Sequence, residues 1–347
     1  MGIPFSAIDD AVLLTQEKLV KRGAFTDLQT DLQDHVAVRE LWKQRKKKFE
    51  GGDNWEFQLQ MDHNHSAQAV GLFQTDGTAL TDTMVTGSVP ARHVNAHYIY
   101  DLREKDFQRG GTKIVEIVKT RYTAMMVSFF EVMETYLWGK PSSSSDVITP
   151  FGIDYWVTKS GSADGFNGAN PSGFSSGKAN VSQGTYSRWA NWTGRYVAIT
   201  KADLIRRMRE AHTKTKFRSP VSHATPTLSG QSNGIYMPYS VIGLIEEELE
   251  KQNMNLGNDI ASKDGRASFR GTPLTWVPFL DSGNTDEPVY MLDWKTLIVG
   301  IMAGWENQLT APYMVPNKHN VRRVDLDASF NMISTDLRRQ AVLNTAG

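Results

Sequence analysis

The sequence contains no cysteine in its 347 residues. Disulfides, thiolate metal centres and a cysteine nucleophile are therefore excluded. A chain of this kind that must survive outside a cell relies on buried area and subunit contacts. Nor is there a surplus of either charge, since Lys+Arg and Asp+Glu both number 38. No overall field draws the molecule to nucleic acid or to a membrane, which leaves room only for a local basic patch. No apolar run reaches the ~18 residues that suggest a membrane span. The start, MGIPFSAIDDAVLLTQEKL, has no basic stretch ahead of its apolar residues, and Asp9 and Asp10 interrupt them. It does not read as a signal peptide. Its M-G-x-x-x-S opening formally fits N-myristoylation, on very few residues of context.

Motifs for chemistry are equally sparse. There is no P-loop, no dinucleotide fingerprint and no paired-carboxylate spacing. The stretch GFSSG, Gly173 to Gly177, matches G-x-S-x-G, but it lies among Gly, Ser and Asn with no apolar strand before it. A flexible loop is the plainer account. DHNH, Asp62 to His65, and the pair His93 and His97 contain metal-ligand types. HVNAH lacks the glutamate of the zinc helix, and its strand-like setting puts the two histidines on one face but too far apart for one ion. The sequon NWT, Asn191 to Thr193, means little without a secretory signal. Lys43 to Lys48 holds five basic residues in six. It reads as a solvated helix end or as a contact to phosphates. No catalytic residue, metal or cofactor is expected.

The patterning predicts mixed α and β structure, with length enough for about two domains. Residues 6–49 read as a helical arm in two segments. Ala11, Leu14, Leu19 and Val20 form the first, and Leu28, Leu32, Val36, Leu41 and Trp42 the second, which ends in KQRKKKF before Gly51 and Gly52. Trp55, Phe57, Leu59 and Met61 then alternate with polar residues, as do Val94, Ala96, Tyr98 and Tyr100. About thirty residues separate these strands, and a protruding hairpin explains them better than a structureless loop. From Thr112 to Trp138, apolar residues at Ile114, Val118, Tyr122, Met125, Phe129, Met133 and Tyr136 predict one long helix, stopped by Gly139 and Pro141.

Residues 141–193 read as surface loop, with a short hairpin over Phe151–Val157. A strand through Tyr196 precedes a helix with Thr200 as N-cap and Asp203 at N3. Ile235–Met237 is a strand, followed by a helix from Pro238 or Tyr239 to Gln252. FRGTPLTWVP and EPVYML give two more strands. In VRRVDLDASFNMIS, Val324, Leu326, Ala328, Phe330 and Met332 form one apolar face of a long final strand.

This order of elements resembles the tailed-phage major capsid proteins with the HK97-like fold. The likeness is carried by the hairpin followed by GTKIVEIVKTRYTAMMVSFFEVMETYLWG, similar to that family's extended loop and spine helix. It is also carried by IYMPYSVIGLIEEELE and by FRGTPLTWVP with EPVYMLDWKTL, which resemble parts of the axial domain. The resemblance implies an α+β fold with an N-terminal arm at 1–50 and an extended hairpin loop at 51–100. A peripheral domain at 101–221 would hold the spine helix 112–138. An axial domain would span 222–309, and a return to the peripheral domain 310–347.

It further implies a non-enzymatic subunit that self-assembles as hexamers and pentamers into an icosahedral shell around double-stranded DNA. The shell would form in the host cytoplasm and become the virion capsid. Inter-subunit contact would fall on Trp42, Trp55, Phe57, Leu59, Leu72, Phe73 and Tyr98. Lys43, Arg45, Lys46, Lys47 and Lys48 would form an inner-surface basic cluster. Only about fifty residues precede the hairpin, so a separate scaffolding protein is expected, with a portal as a further partner. Two other readings stay open. One is an encapsulin-like nanocompartment shell around a cargo enzyme, and the other a soluble hydrolase or carbohydrate-binding protein.

Overall fold

The computed structural model describes residues 35–42, 45–62, 69, 71, 82–104, 111–160, 164–216, 233–253, 268–281 and 286–345. The expected helix from Ala11 to Val20 and the first part of the second lie outside them. What remains of the second is a single wide π-type turn, Val38–Trp42. The basic run after it is not a helix end. Lys46–Phe49 is a strand, β1. KKKF offers no apolar stripe for a helix to bury. As a strand it gains a ladder of backbone hydrogen bonds along a sheet edge.

Asn54–Gln60, β2, alternates as predicted, with Trp55 and Leu59 buried and Glu56, Gln58 and Gln60 exposed. Its partner is not the strand through Val94 and Tyr100. It pairs with Met84–Pro90, β3, placing Trp55 opposite Val89 and Leu59 opposite Val85. Arg92–Asp101, β4, instead runs antiparallel to the long strand Val321–Ser334, β13. There Tyr98 lies opposite Val324 and Val94 opposite Ala328. Two long apolar faces in register bury more together than β4 would gain from the seven-residue β2.

The predicted long helix is present as Gly111–Trp138, α1, with 28 residues. Tyr122, Met125, Met126, Phe129, Met133 and Leu137 are buried along it. It is followed by Ile153–Trp156, α2, a short helical turn where a hairpin is predicted. The carbonyl of Gly152 accepts from the backbone N–H groups of Tyr155 and Trp156. A side chain at position 152 would strike the carbonyl of Gly139, 2.3 Å from an ideal Cβ, so only glycine lets this turn sit on the end of α1.

Trp192–Tyr196, β5, leads to Leu204–Lys214, α3. Asp203 precedes the helix, but its carboxylate faces backward and accepts from the N–H groups of Val197 and Ala198 at 2.7 and 3.1 Å. The cap at Thr200 is thus displaced by a turn closed on Asp203. Asn233–Met237, β6, and Tyr239–Asn253, α4, fall where predicted. Next come Ser268–Phe269, β7, Thr272–Trp276, β8, and the short Pro278–Asp281, α5. The chain continues with Val289–Asp293, β9, Leu297–Met302, β10, Gln308–Leu309, β11, Tyr313–Met314, β12, then β13 and finally Ala341–Thr345, β14. No described helix is long and apolar enough to cross a membrane.

These strands make two six-stranded sheets besides the β2–β3 ribbon. The first is built on β13, which pairs with β10, β4, β11 and β12, and β1 adds to β10 in parallel. The second has the order β5-β14-β9-β6-β8-β7. The chain passes between them three times, from β4 to β5 by way of α1 and α2, from β9 to β10 through the tight turn Trp294–Thr296 and from β13 to β14 through Leu337–Arg339. The passage from β9 to β10 leaves the second sheet at Asp293. β13 also departs from simple alternation. Asp325, Ser329, Asn331 and Ser334 are buried as well as the apolar face. Asn331 explains part of this, since it accepts from the N–H of Phe151 at 2.7 Å and donates to the carbonyl of Pro90 at 2.6 Å.

Candidate assembly surfaces

The segment at Ala37 and Val38 is fastened by one carboxylate. Glu134 on α1 accepts from the backbone N–H groups of Ala37 and Val38 at 3.0 and 2.8 Å, and from Trp138 Nε1 at 2.7 Å. Burial pushes its carboxyl above the usual range, and the three donors pull the other way. Trp42 packs edge-on against Phe330, with ring centroids 5.4 Å apart. The basic cluster lies on β1 and just before it. Lys46 and Lys48 both pair with Glu306, Lys47 lies over the Phe49 ring, and the carbonyl of Arg45 accepts from the N–H of Val299. Lys43 lies outside the described residues. Glu306 thus offsets part of the charge expected to face phosphates.

The ribbon is anchored at its base. Trp55 stacks on Phe49 at 4.9 Å with the rings 8° from parallel. Both rings rest on Gly300, where a Cβ would come within 2.8 Å of Trp55. The Phe57 ring covers Gly87 across the ribbon. The N–H of Ser88 donates to the carbonyl of Ala179 at 3.0 Å. Trp42, Trp55, Leu59 and Tyr98 are therefore buried within the chain's own core, and Phe57 is half-buried. Leu72 and Phe73 lie outside the described residues. The ribbon's other face, with Glu56, Gln58, Met84 and Thr86, is exposed.

The Gly- and Ser-rich segment before β5 is packed, not an open surface loop. Phe174 of GFSSG is buried edge-on against Phe151 and Tyr155, at 6.1 and 5.0 Å. Left-handed backbone at Gly173 and Gly177 folds the motif into a turn. Lys178 is fully buried, and its Nζ donates to Thr158 Oγ1 and Asn191 Oδ1 at 2.9 and 3.0 Å. Burial lowers its pKa to about 7. Asn191, the sequon residue, is itself fully buried and donates to the carbonyls of Thr158 and Trp192. It is closed to glycosylation in this fold. His93 bonds Ser329 Oγ at 2.6 Å. Of DHNH only Asp62 is among the described residues. Among the described residues no group of three His, Asp or Glu side chains is placed to hold a metal ion.

One surface was not singled out from the sequence. Tyr239 and Trp276 are exposed and meet edge-on at 6.4 Å beside α4, and Leu244 is exposed on the same helix. Asp281 braces the pair, accepting from the N–H of Tyr239 and from Trp276 Nε1. The readable signal was charge: IRRMRE in α3 and IEEELE in α4 carry opposite signs.

Two joined sheets, a long helix packed on β4 of the first and the β2–β3 ribbon make up the described fold. The chain is similar over most of its length to solved capsid structures. It matches the cyanophage A-1(L) capsid asymmetric unit at 12% identity and TM-score 0.61, covering 90% of this chain and 93% of that one. It matches the capsid of a native GTA particle at 11% identity and TM-score 0.60, covering 91% and 92%. An encapsulin, the holo-SrpI complex from Synechococcus elongatus PCC 7942, matches at 11% identity and TM-score 0.51, covering 90% and 88%. No protein-family model and no curated protein matches the sequence. The chain thus has the α+β fold of tailed-phage capsid proteins, the HK97-like fold.

Proposed function

We propose that this chain is a structural major capsid protein that assembles as hexamers and pentamers into an icosahedral shell enclosing double-stranded DNA. The observation that carries the reading is chain-length similarity to capsid subunits, covering about nine-tenths of both partners. The polypeptide's task is then geometric. The ribbon and arm reach sister copies, the β4–β13 sheet and α1 form the wall, and the second-sheet elements within 222–309 point to the capsomer centre. In the proposed division, 101–221 with 310–347 is peripheral and the second-sheet elements within 222–309 are axial. The inter-subunit part of the ribbon is its exposed face and its tip, with Leu72 and Phe73 as apolar contacts, because Trp55 and Leu59 are occupied at home. A separate scaffolding protein and a portal complete the assembly, and DNA is held without sequence preference. Assembly takes place in the host cytoplasm.

The encapsulin match favours one second reading, a nanocompartment shell that encloses a cargo enzyme. Electron microscopy of the chain expressed with its scaffolding protein tests both. Closed shells with nucleic-acid absorbance support the capsid. Closed shells filled with protein support the nanocompartment. A chain that stays a small oligomer under these conditions defeats both.

A further inference from the structure

Two helices on the second sheet carry opposite charge. In α3 there are four Arg or Lys residues and one Glu. In α4 there are four Glu residues and one Lys. Both helices bury their apolar sides in the same core, α3 through Leu204, Met208 and Ala211 and α4 through Val241, Ile242 and Ile245. The helix α3 packs on β5 and β14 and its last turn reaches Phe269 and Arg270 at the far end of the sheet, while α4 packs on β8. The sheet therefore fixes the two charged helices in one arrangement.

The outward charges are unspent. Arg206, Arg209 and Lys214 are exposed on α3, Glu246 and Glu247 on α4, and none has an ion-pair partner among the described residues. Arg207 is neutralised within the chain, by Asp164 and Asp203. Exposed Tyr239 and Trp276 flank the acidic face. Exposed aromatic residues are enriched at protein contact surfaces.

We propose that the basic face of α3 in one copy docks on the acidic, aromatic-flanked face of α4 in the next copy. This inference rests on the shell-subunit reading and names the contact that joins neighbours in a capsomer. Each face repels its own kind and attracts the other, so contact of α3 on α3 or of α4 on α4 is disfavoured. A face that complements a different face of the same chain gives head-to-tail association, which closes into a ring when the rotation permits. Opposite fields also steer encounter and reject wrong orientations. A nucleic acid would engage α3 but leave the acidic and aromatic face of α4 unexplained.

The test is charge reversal in the full chain, expressed with its scaffolding protein. Arg206→Glu with Arg209→Glu, and separately Glu246→Lys with Glu247→Lys, are each expected to cut particle yield by roughly tenfold or more, since like charges face each other. Unchanged circular dichroism and thermal unfolding of the isolated subunits show that these exposed substitutions spare the fold. Combining all four reversals in one chain is expected to restore particles. Mixing the two double variants is expected to restore only rings with an even number of copies, because the two must alternate.

Full yield from both double variants overturns the proposal while leaving the shell reading intact. Failure of the fourfold variant to recover assembly also overturns it. Particles from the Arg206→Glu, Arg209→Glu chain that assemble normally but hold less DNA reassign α3 to nucleic acid and overturn it too. Absence of particles from the unaltered chain removes the shell reading itself, and this contact with it.

Discussion

The side chain of Gln340 pairs with the backbone of Asp293 as one strand residue pairs with another. Its Nε2 donates to the Asp293 carbonyl at 3.0 Å, and its Oε1 accepts from the Asp293 N–H at 3.0 Å. Nε2 also donates to Thr296 Oγ1. Both residues are fully buried at the place where the chain crosses between the sheets. Gln340 therefore links two of the three crossings, β9 to β10 and β13 to β14.

Replacing Gln340 by Met keeps the volume but removes its bond to the buried Asp293 N–H, while the Asp293 carbonyl and the Thr296 hydroxyl keep their bond to each other. Losing such a partner costs a buried group about 1–3 kcal/mol when it stays dry. Gln340→Met is expected to destabilise the subunit by about 1–3 kcal/mol in urea unfolding. A loss under about 0.5 kcal/mol, the scale of an ordinary surface change, would show that the crossings hold without it.

Lys178 gives a pH signature. Its pKa falls from the ordinary 10.5 to about 7 because burial disfavours the charged amine. Between those values the unfolded chain binds more protons than the folded one. Stability therefore rises with pH across that window, by at most about 1.4 kcal/mol per pH unit for one group. Below about pH 7 this contribution is flat. Urea unfolding from pH 7 to 10 reads the slope, and Lys178→Met is expected to remove it. An identical slope in the variant assigns the pH dependence to other groups.

Gly300 carries the stacked pair of Phe49 and Trp55. A methyl group there would come within 2.8 Å of Trp55 and 2.9 Å of Phe49, both ring atoms. Overpacking of this kind costs about 1–3 kcal/mol. Gly300→Ala is expected to lower stability by that amount and to loosen the ribbon's base. Proteolysis within β2–β3 should then quicken while cleavage elsewhere does not. Unchanged proteolysis would mean that the rings shift aside without releasing the ribbon.

Strong periodicity was legible. α1, α4, β2, β9 and β13 lie where apolar spacing puts them, because each buries a face long enough to set its period. Pairing was not. Nothing local in WEFQLQM says that it joins Met84–Pro90 while Arg92–Asp101 goes to a strand more than two hundred residues later. That choice is made by matching whole faces, a long-range property. The basic run at Lys46–Lys48 was misread because its strand is stabilised by the partner β10 and by Glu306, both remote in sequence. The Gly- and Ser-rich segment looked like open loop because its order comes from a few scattered anchors, Phe174, Lys178, Trp189 and Asn191. Of the candidate assembly surfaces, the opposite charges of α3 and α4 can be read from the sequence. Their placement on one sheet did not.

The ribbon's reach can be separated from its anchorage. Trp55, Leu59 and Val89 bury the base against the chain's own core, so the subunit does not need the tip for that packing. Residues 63–81 include Leu72 and Phe73, apolar side chains whose burial would reward contact with a sister copy. Replacing 63–81 with a short Gly-Ser turn leaves β2 and β3 able to pair. Shortening a loop from 19 residues to about four lowers the closure cost by roughly 1.4 kcal/mol, so thermal unfolding of the subunit should not fall. Closed shells should nevertheless be lost, leaving capsomers or open fragments by negative-stain electron microscopy. Leu72→Ser with Phe73→Ser should reproduce the defect in milder form. Normal closed particles from the shortened chain would mean that the tip holds no neighbour, and the ribbon would then serve only the subunit that carries it.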